Sequence, residues 1–80
     1  MKYCVFLRNS EVDIVEMNDY ENEENYLGMC LYNRSYFGDD EFFQNKYDDI
    51  VKDIAFYAQK VALNGKLSLT ENAQKFINSI

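Results

Sequence analysis

The chain contains no histidine and no proline, and only three glycines and two cysteines among its 80 residues. Each shortage closes a route. Without histidine the usual general base and the commonest metal ligand are missing, and neither a Ser/His nor a Cys/His nucleophile arrangement can be assembled. Gly28, Gly38 and Gly65 stand apart from one another, so there is no glycine-rich phosphate loop. The lack of proline argues against a disordered tail or a low-complexity linker. Cys4 and Cys30 form no C-x-x-C pair and make no disulfide framework, and both are expected as buried thiols. Paired carboxylates remain available for acid–base work, but acids are too numerous here for any pair to be informative. These absences point away from an enzyme and from a bound cofactor.

Long hydrophobic runs are also missing. No stretch approaches the roughly 20 apolar residues that span a bilayer. The opening Met1–Arg8 is too short for a signal-peptide core and has no small-residue cleavage site. The expected location is therefore the cytoplasm, that of a host cell if a phage encodes the chain. Eighty residues make a single domain, 1–80, that buries only about 60–65% of its unfolded surface. Seven Tyr and six Phe supply much of the apolar area available to so small a core.

Positive charge is the most localised absence. From Asn9 to Asn33 there is no Lys or Arg, while Glu11, Asp13, Glu16, Asp19, Glu21, Glu23 and Glu24 contribute −7. Outside that segment seven acids meet eight bases, a net of +1, so the formal charge of −6 resides in one part of the chain. Such a field repels nucleic acid and anionic membranes, so neither is an expected partner. A calcium loop is an alternative use of these acids. Counting from Asp19, however, position six is Glu24 where an EF-hand needs Gly, so no metal is expected.

The remaining pattern predicts an α+β fold. Lys2–Arg8 is β-branched and aromatic, and Glu11–Met17 alternates Val12 and Ile14 with Glu11 and Asp13. Two strands, 2–8 and 11–17, are expected to form a hairpin across Asn9-Ser10. A third strand is expected near 26–32, after a polar loop from Asn18 to Asn25. The antiparallel sheet of two or three strands is packed by a long helix over about 40–63. Asp39 and Asp40 are its expected caps, and Phe43, Tyr47, Ile50, Val51, Ile54, Tyr57, Ala58 and Val61 form its stripe. Asn64-Gly65 is expected to end this helix with Gly as the cap. A short helix over about 70–79 follows, capped by Ser68 or Thr70; Ser68–Glu71 fits a capping box. Phe42 and Phe56 fall off the stripe. Either the last helix covers them or they are exposed anchors, as at a homodimer seam.

In size and charge the chain is similar to phage-encoded inhibitors that imitate DNA, a class that includes many anti-CRISPR proteins. It is similar in the same way to bacterial immunity proteins and antitoxins. These resemblances are compositional, cover no motif and assign no residues. The reading they join is a small acidic inhibitor that occupies the groove of a basic, nucleic-acid-binding protein. Its expected partner-binding residues are Glu11, Asp13, Glu16, Asp19, Tyr20, Glu21, Glu23, Glu24 and Tyr26, with acids steering and tyrosines anchoring. An immunity protein or antitoxin against a cationic nuclease, and a self-associating structural or regulatory subunit, are the alternatives.

Overall fold

The structure, a computed structural model, describes residues 1–18, 20–36 and 41–80; the side chains of residues 42–44 fall outside that description. The expected caps Asp39 and Asp40, the partner residue Asp19 and the side chains of Phe42 and Phe43 therefore lie outside the described residues.

Strand β1 (Lys2–Arg8) and strand β2 (Glu11–Met17) form the expected antiparallel hairpin, with Arg8 opposite Glu11 and Lys2 opposite Met17. The connecting Asn9 and Ser10 have φ of 46° and 70°. Positive φ at both central residues is the requirement of the turn whose twist matches a two-residue hairpin, and Asn meets it more readily than Ser.

The third strand, β3 (Met29–Ser35), begins three residues later than the pattern suggested. Tyr26 leaves the expected strand to stack on Phe6, with ring centroids 5.6 Å apart. Gly28, at φ 135°, then turns the chain into β3. A Cβ there would lie 2.6 Å from Arg8 Cγ and 2.7 Å from the Leu7 carbonyl oxygen, so only glycine fits.

Helix α1 (Glu41–Gly65) follows β3, then strand β4 (Ser68–Leu69) and helix α2 (Glu71–Asn78). The sheet has four strands in the order β3-β1-β2-β4, and β4 runs parallel to β2. It is thus a mixed sheet rather than an antiparallel one of two or three strands. A two-residue strand presents no period to read, and its pairing depends on where α1 stops. Among the described residues no helix is long and apolar enough to cross a membrane.

The end of α1 corrects the expected cap. Lys66, not Gly65, adopts the left-handed conformation (φ 53°), while the Leu67 N–H donates to the Ala62 carbonyl at 2.8 Å and the Lys66 N–H to that of Leu63 at 3.3 Å. This crossed pair of bonds satisfies carbonyls that the helix leaves open. Gly65 instead makes room for the Leu67 side chain, whose Cδ1 would be 3.0 Å from a Cβ. At α2 the cap is Thr70, which accepts from the Ala73 N–H at 3.1 Å; Ser68 belongs to β4 and Glu71 pairs with Lys75.

The helices cover one face of the sheet. Tyr3, Val5, Val12 and Ile14 pack there against Ile50, Ile54, Ala58 and Ala62 of α1 and Ala73 of α2. Each fully buried Val or Ile side chain among these contributes about 1.5–3 kcal/mol. The Tyr3 and Tyr47 hydroxyls share a hydrogen bond of 2.9 Å, and the Tyr3 ring meets Phe76 at 5.4 Å. Burial, then that bond, pushes the Tyr3 hydroxyl far above its ordinary range. Tyr32 of β3 stacks on Tyr57 at 4.5 Å and its hydroxyl donates to Asp53, tying β3 to α1.

Candidate functional site

The second face of the sheet is packed by neither α1 nor α2. It is crossed by the segment 18–28, which leaves β2 at the Met17 end and enters β3 at the Gly28 end. Its polar sequence is held by local bonds. The Asn18 N–H donates to Glu21 Oε2 at 3.1 Å, and the Tyr20 N–H to Asn18 Oδ1 at 3.2 Å. Glu23–Asn25 forms one turn of 3-10 helix. Two anchors then fix it to the sheet. Tyr26 stacks on Phe6, and Glu23 Oε1 lies 3.2 Å from Lys2 Nζ and accepts from Asn33 Nδ2 at 2.9 Å.

Beneath the segment lies a second, smaller core of Cys4, Phe6 and Met17, bordered by Val15, Tyr26 and Cys30. The Cys4 thiol donates to Met17 Sδ at 3.3 Å. Cys30 reaches this face through an irregularity in the ladder. Val5 pairs with Tyr32 but Phe6 pairs with Cys30, so Leu31 is an extra residue. A regular ladder would set Cys30 opposite Leu7, on the helix side. The bulge places it beside Cys4 instead. Both thiols are free; burial, reinforced by the Glu23 carboxylate, pushes Cys4 up to about 12. Cys30 is also raised, by burial first and then by its bond to Glu23.

The nine residues expected to meet a partner divide into separate groups. Glu16 and Glu21 line one shallow concavity with Met1, Met17 and Asn18, and Glu23 and Glu24 line another with Lys2 and Asn22. Lys2 and Met17 are opposite each other in the ladder, so these four acids gather around one end of the hairpin. Tyr20 projects from the same segment and is 95% exposed. Glu11 stands at the other end, five residues from Glu16 along β2, about 17 Å at strand rise. Tyr26 serves as the pillar of the segment rather than as an exposed anchor.

Asp13 must be removed from the surface set. It is 5% exposed, its Oδ2 lies 3.2 Å from Arg8 Nη2, and its Oδ1 accepts from Thr70 Oγ1 at 2.6 Å and the Ile14 N–H at 2.9 Å. Alternation along β2 placed it correctly on the face opposite Val12 and Ile14. That face is not open at this point, because Arg8 closes over it. Asp13 therefore links β1, β2 and the cap of α2.

Of the two alternatives for Phe56, cover by α2 and exposure, the structure shows exposure. Phe56 is 68% exposed, beside a shallow groove lined by Lys52, Ala55, Gln59, Ile77 and Ile80. The grouping that sequence reasoning missed is Cys4, Glu23 and Cys30, whose ligand atoms all lie within 4.8 Å of one another. The bulge that assembles it leaves no mark in the residue pattern.

The fold and site define a small α+β protein with an acidic segment strapped across the sheet face opposite α1 and α2. No family model, curated protein or solved structure matches the chain.

Proposed function

We propose that the chain is a small acidic protein-binding inhibitor that blocks a basic, nucleic-acid-binding protein, as an anti-CRISPR or other anti-defence protein of a phage does. One observation carries this reading: a segment without Lys or Arg is anchored on the sheet, its Glu21, Glu23 and Glu24 gather with Glu16 of β2 around one end of the hairpin, and Tyr20 of the same segment is 95% exposed. Clustered acids accelerate encounter with a basic surface, and a tyrosine adds contact area at small entropic cost. The surface is narrower than a row of seven acids imitating phosphates along the hairpin. Asp13 is internal, Glu11 is remote and Glu23 is partly neutralised by Lys2.

The test is capture from a bacterial lysate on immobilised protein, with mass spectrometry of what is retained. A basic protein held at low salt and released at high salt is the expected result. The triple variant Glu16→Gln, Glu21→Gln, Glu24→Gln should lose it. Retention unchanged in that variant would sink the reading. An immunity protein or antitoxin would use the same surface, and a toxin gene beside this one would favour that version.

A second reading, a self-associating subunit, draws on exposed Phe56 and Leu63 of α1 and Ile80 just beyond α2. Light scattering separates the two: a doubled mass that Phe56→Ser halves, insensitive to salt, would favour self-association.

A further inference from the structure

We propose that Cys4, Cys30 and Glu23 form a binding site for one zinc ion. The sulfur and carboxylate donors converge within 4.8 Å of one another, the spacing that ligands of a single tetrahedral ion adopt after small adjustments. They come from three parts of the chain: β1, β3 and the crossing segment. Their convergence is therefore a product of the fold, and the bulge at Leu31 exists at the point where it turns Cys30 toward Cys4.

The surroundings fit a zinc ion. Two thiolates neutralise Zn²⁺, and Glu23 remains balanced by Lys2, so the filled site has no net charge in a partly dry environment. Asn33 and Lys2 orient the Glu23 carboxylate, as outer partners do in metal centres. The fourth position of a tetrahedral ion would be left to water. Glu23 also lines a shallow surface concavity with Lys2, Asn22 and Glu24, where acids favour a cation. Binding displaces the two thiol protons and fastens the crossing segment to the sheet. This inference rests on the donors alone and stands whether or not the segment meets a basic protein.

The experiment uses the reduced full-length chain, a non-thiol reductant and zinc alone. Competition against a chromophoric chelator should give one ion per chain, and thermal unfolding should shift upward in zinc and return with chelator. Cobalt in place of zinc should give thiolate-to-metal absorption. Cys30→Ser should remove tight binding, and Glu23→Gln, at a half-exposed position that leaves the core intact, should weaken it by at least the roughly 10–100-fold that loss of an outer partner costs. Circular dichroism without metal checks that both variants fold. Failure of the reduced wild-type chain to bind zinc overturns the proposal. So does binding that is indifferent to Glu23→Gln, or that survives Cys30→Ser in a folded variant.

Discussion

The two faces of one hairpin are covered by different means. On the helix side, Tyr3, Val5, Val12 and Ile14 meet a stripe of α1 and the Ala73 side of α2, a nearly continuous apolar contact. On the other side the same strands present Cys4, Phe6 and Met17 to a polar, acidic segment held by the Tyr26–Phe6 stack, the Glu23–Lys2 ion pair and side-chain hydrogen bonds. The first arrangement is built for stability, because it excludes water over the larger area. The second stabilises less per residue but leaves charged and aromatic groups facing outward on a fixed support. Segments of low local stability are where binding surfaces are commonly found. The proposed binding surface thus falls mainly on the side opposite the helices, with Glu16, which shares the face of Tyr3 in the ladder, at its edge.

The largest expected effect tests the helix side. Ile54→Ala empties a fully buried position of α1 and should lower the unfolding free energy by about 2–5 kcal/mol. Chemical denaturation measures it, and a cost under about 1 kcal/mol would break the assignment of stability to this face. Asp13→Ala comes next, at about 2–3 kcal/mol, since it leaves Arg8 and Thr70 without their partner; Arg8 keeps some solvent, which limits the loss. Partner affinity in the folded variant should not change, because Asp13 is internal; a loss there would return it to the binding surface.

Tyr26→Ala should cost about 1–2 kcal/mol by removing the stack on Phe6. Hydrogen exchange should then rise across 20–26 with the α1 core still protected. Uniform loss of protection would mean that the two faces are not separable.

Alkali addresses the helix side again. Tyr3 holds its proton more firmly folded than unfolded, so the unfolded chain binds fewer protons above the ordinary tyrosine value. This contribution is whole below pH ~10 and declines above it by about 1.4 kcal/mol per pH unit. Melting temperatures measured across that range should fall less steeply in Tyr3→Phe. The smallest effect expected is a gain: Lys66→Gly relieves a left-handed backbone and should add about 0.5–1 kcal/mol.

Much of the helix side was legible in advance. Strands 2–8 and 11–17 emerge with those bounds, and the helices expected at 40–63 and 70–79 run 41–65 and 71–78. Periodicity is a local property, and an amphipathic stripe needs only some apolar face to pack against. The other side was read less well for a matching reason. The apolar neighbours of Tyr26 predict a strand there, whereas its position is decided by Phe6, twenty residues away. Asp13 was placed on the correct face, but whether that face is open depends on Arg8, Thr70 and the route of the segment above.

The order of residues by itself determined the hairpin, the two helices, the absence of histidine-based chemistry and the concentration of negative charge before Asn33. Tertiary structure alone decided which of those charges remain outside. It also decided, through one extra residue at Leu31, that Cys30 faces Cys4 and Glu23 rather than the helices. The physical reason is the two-residue side-chain period of a strand: one inserted residue reverses the facing of everything beyond it, and the ladder that accommodates it is made with a partner strand distant in the chain.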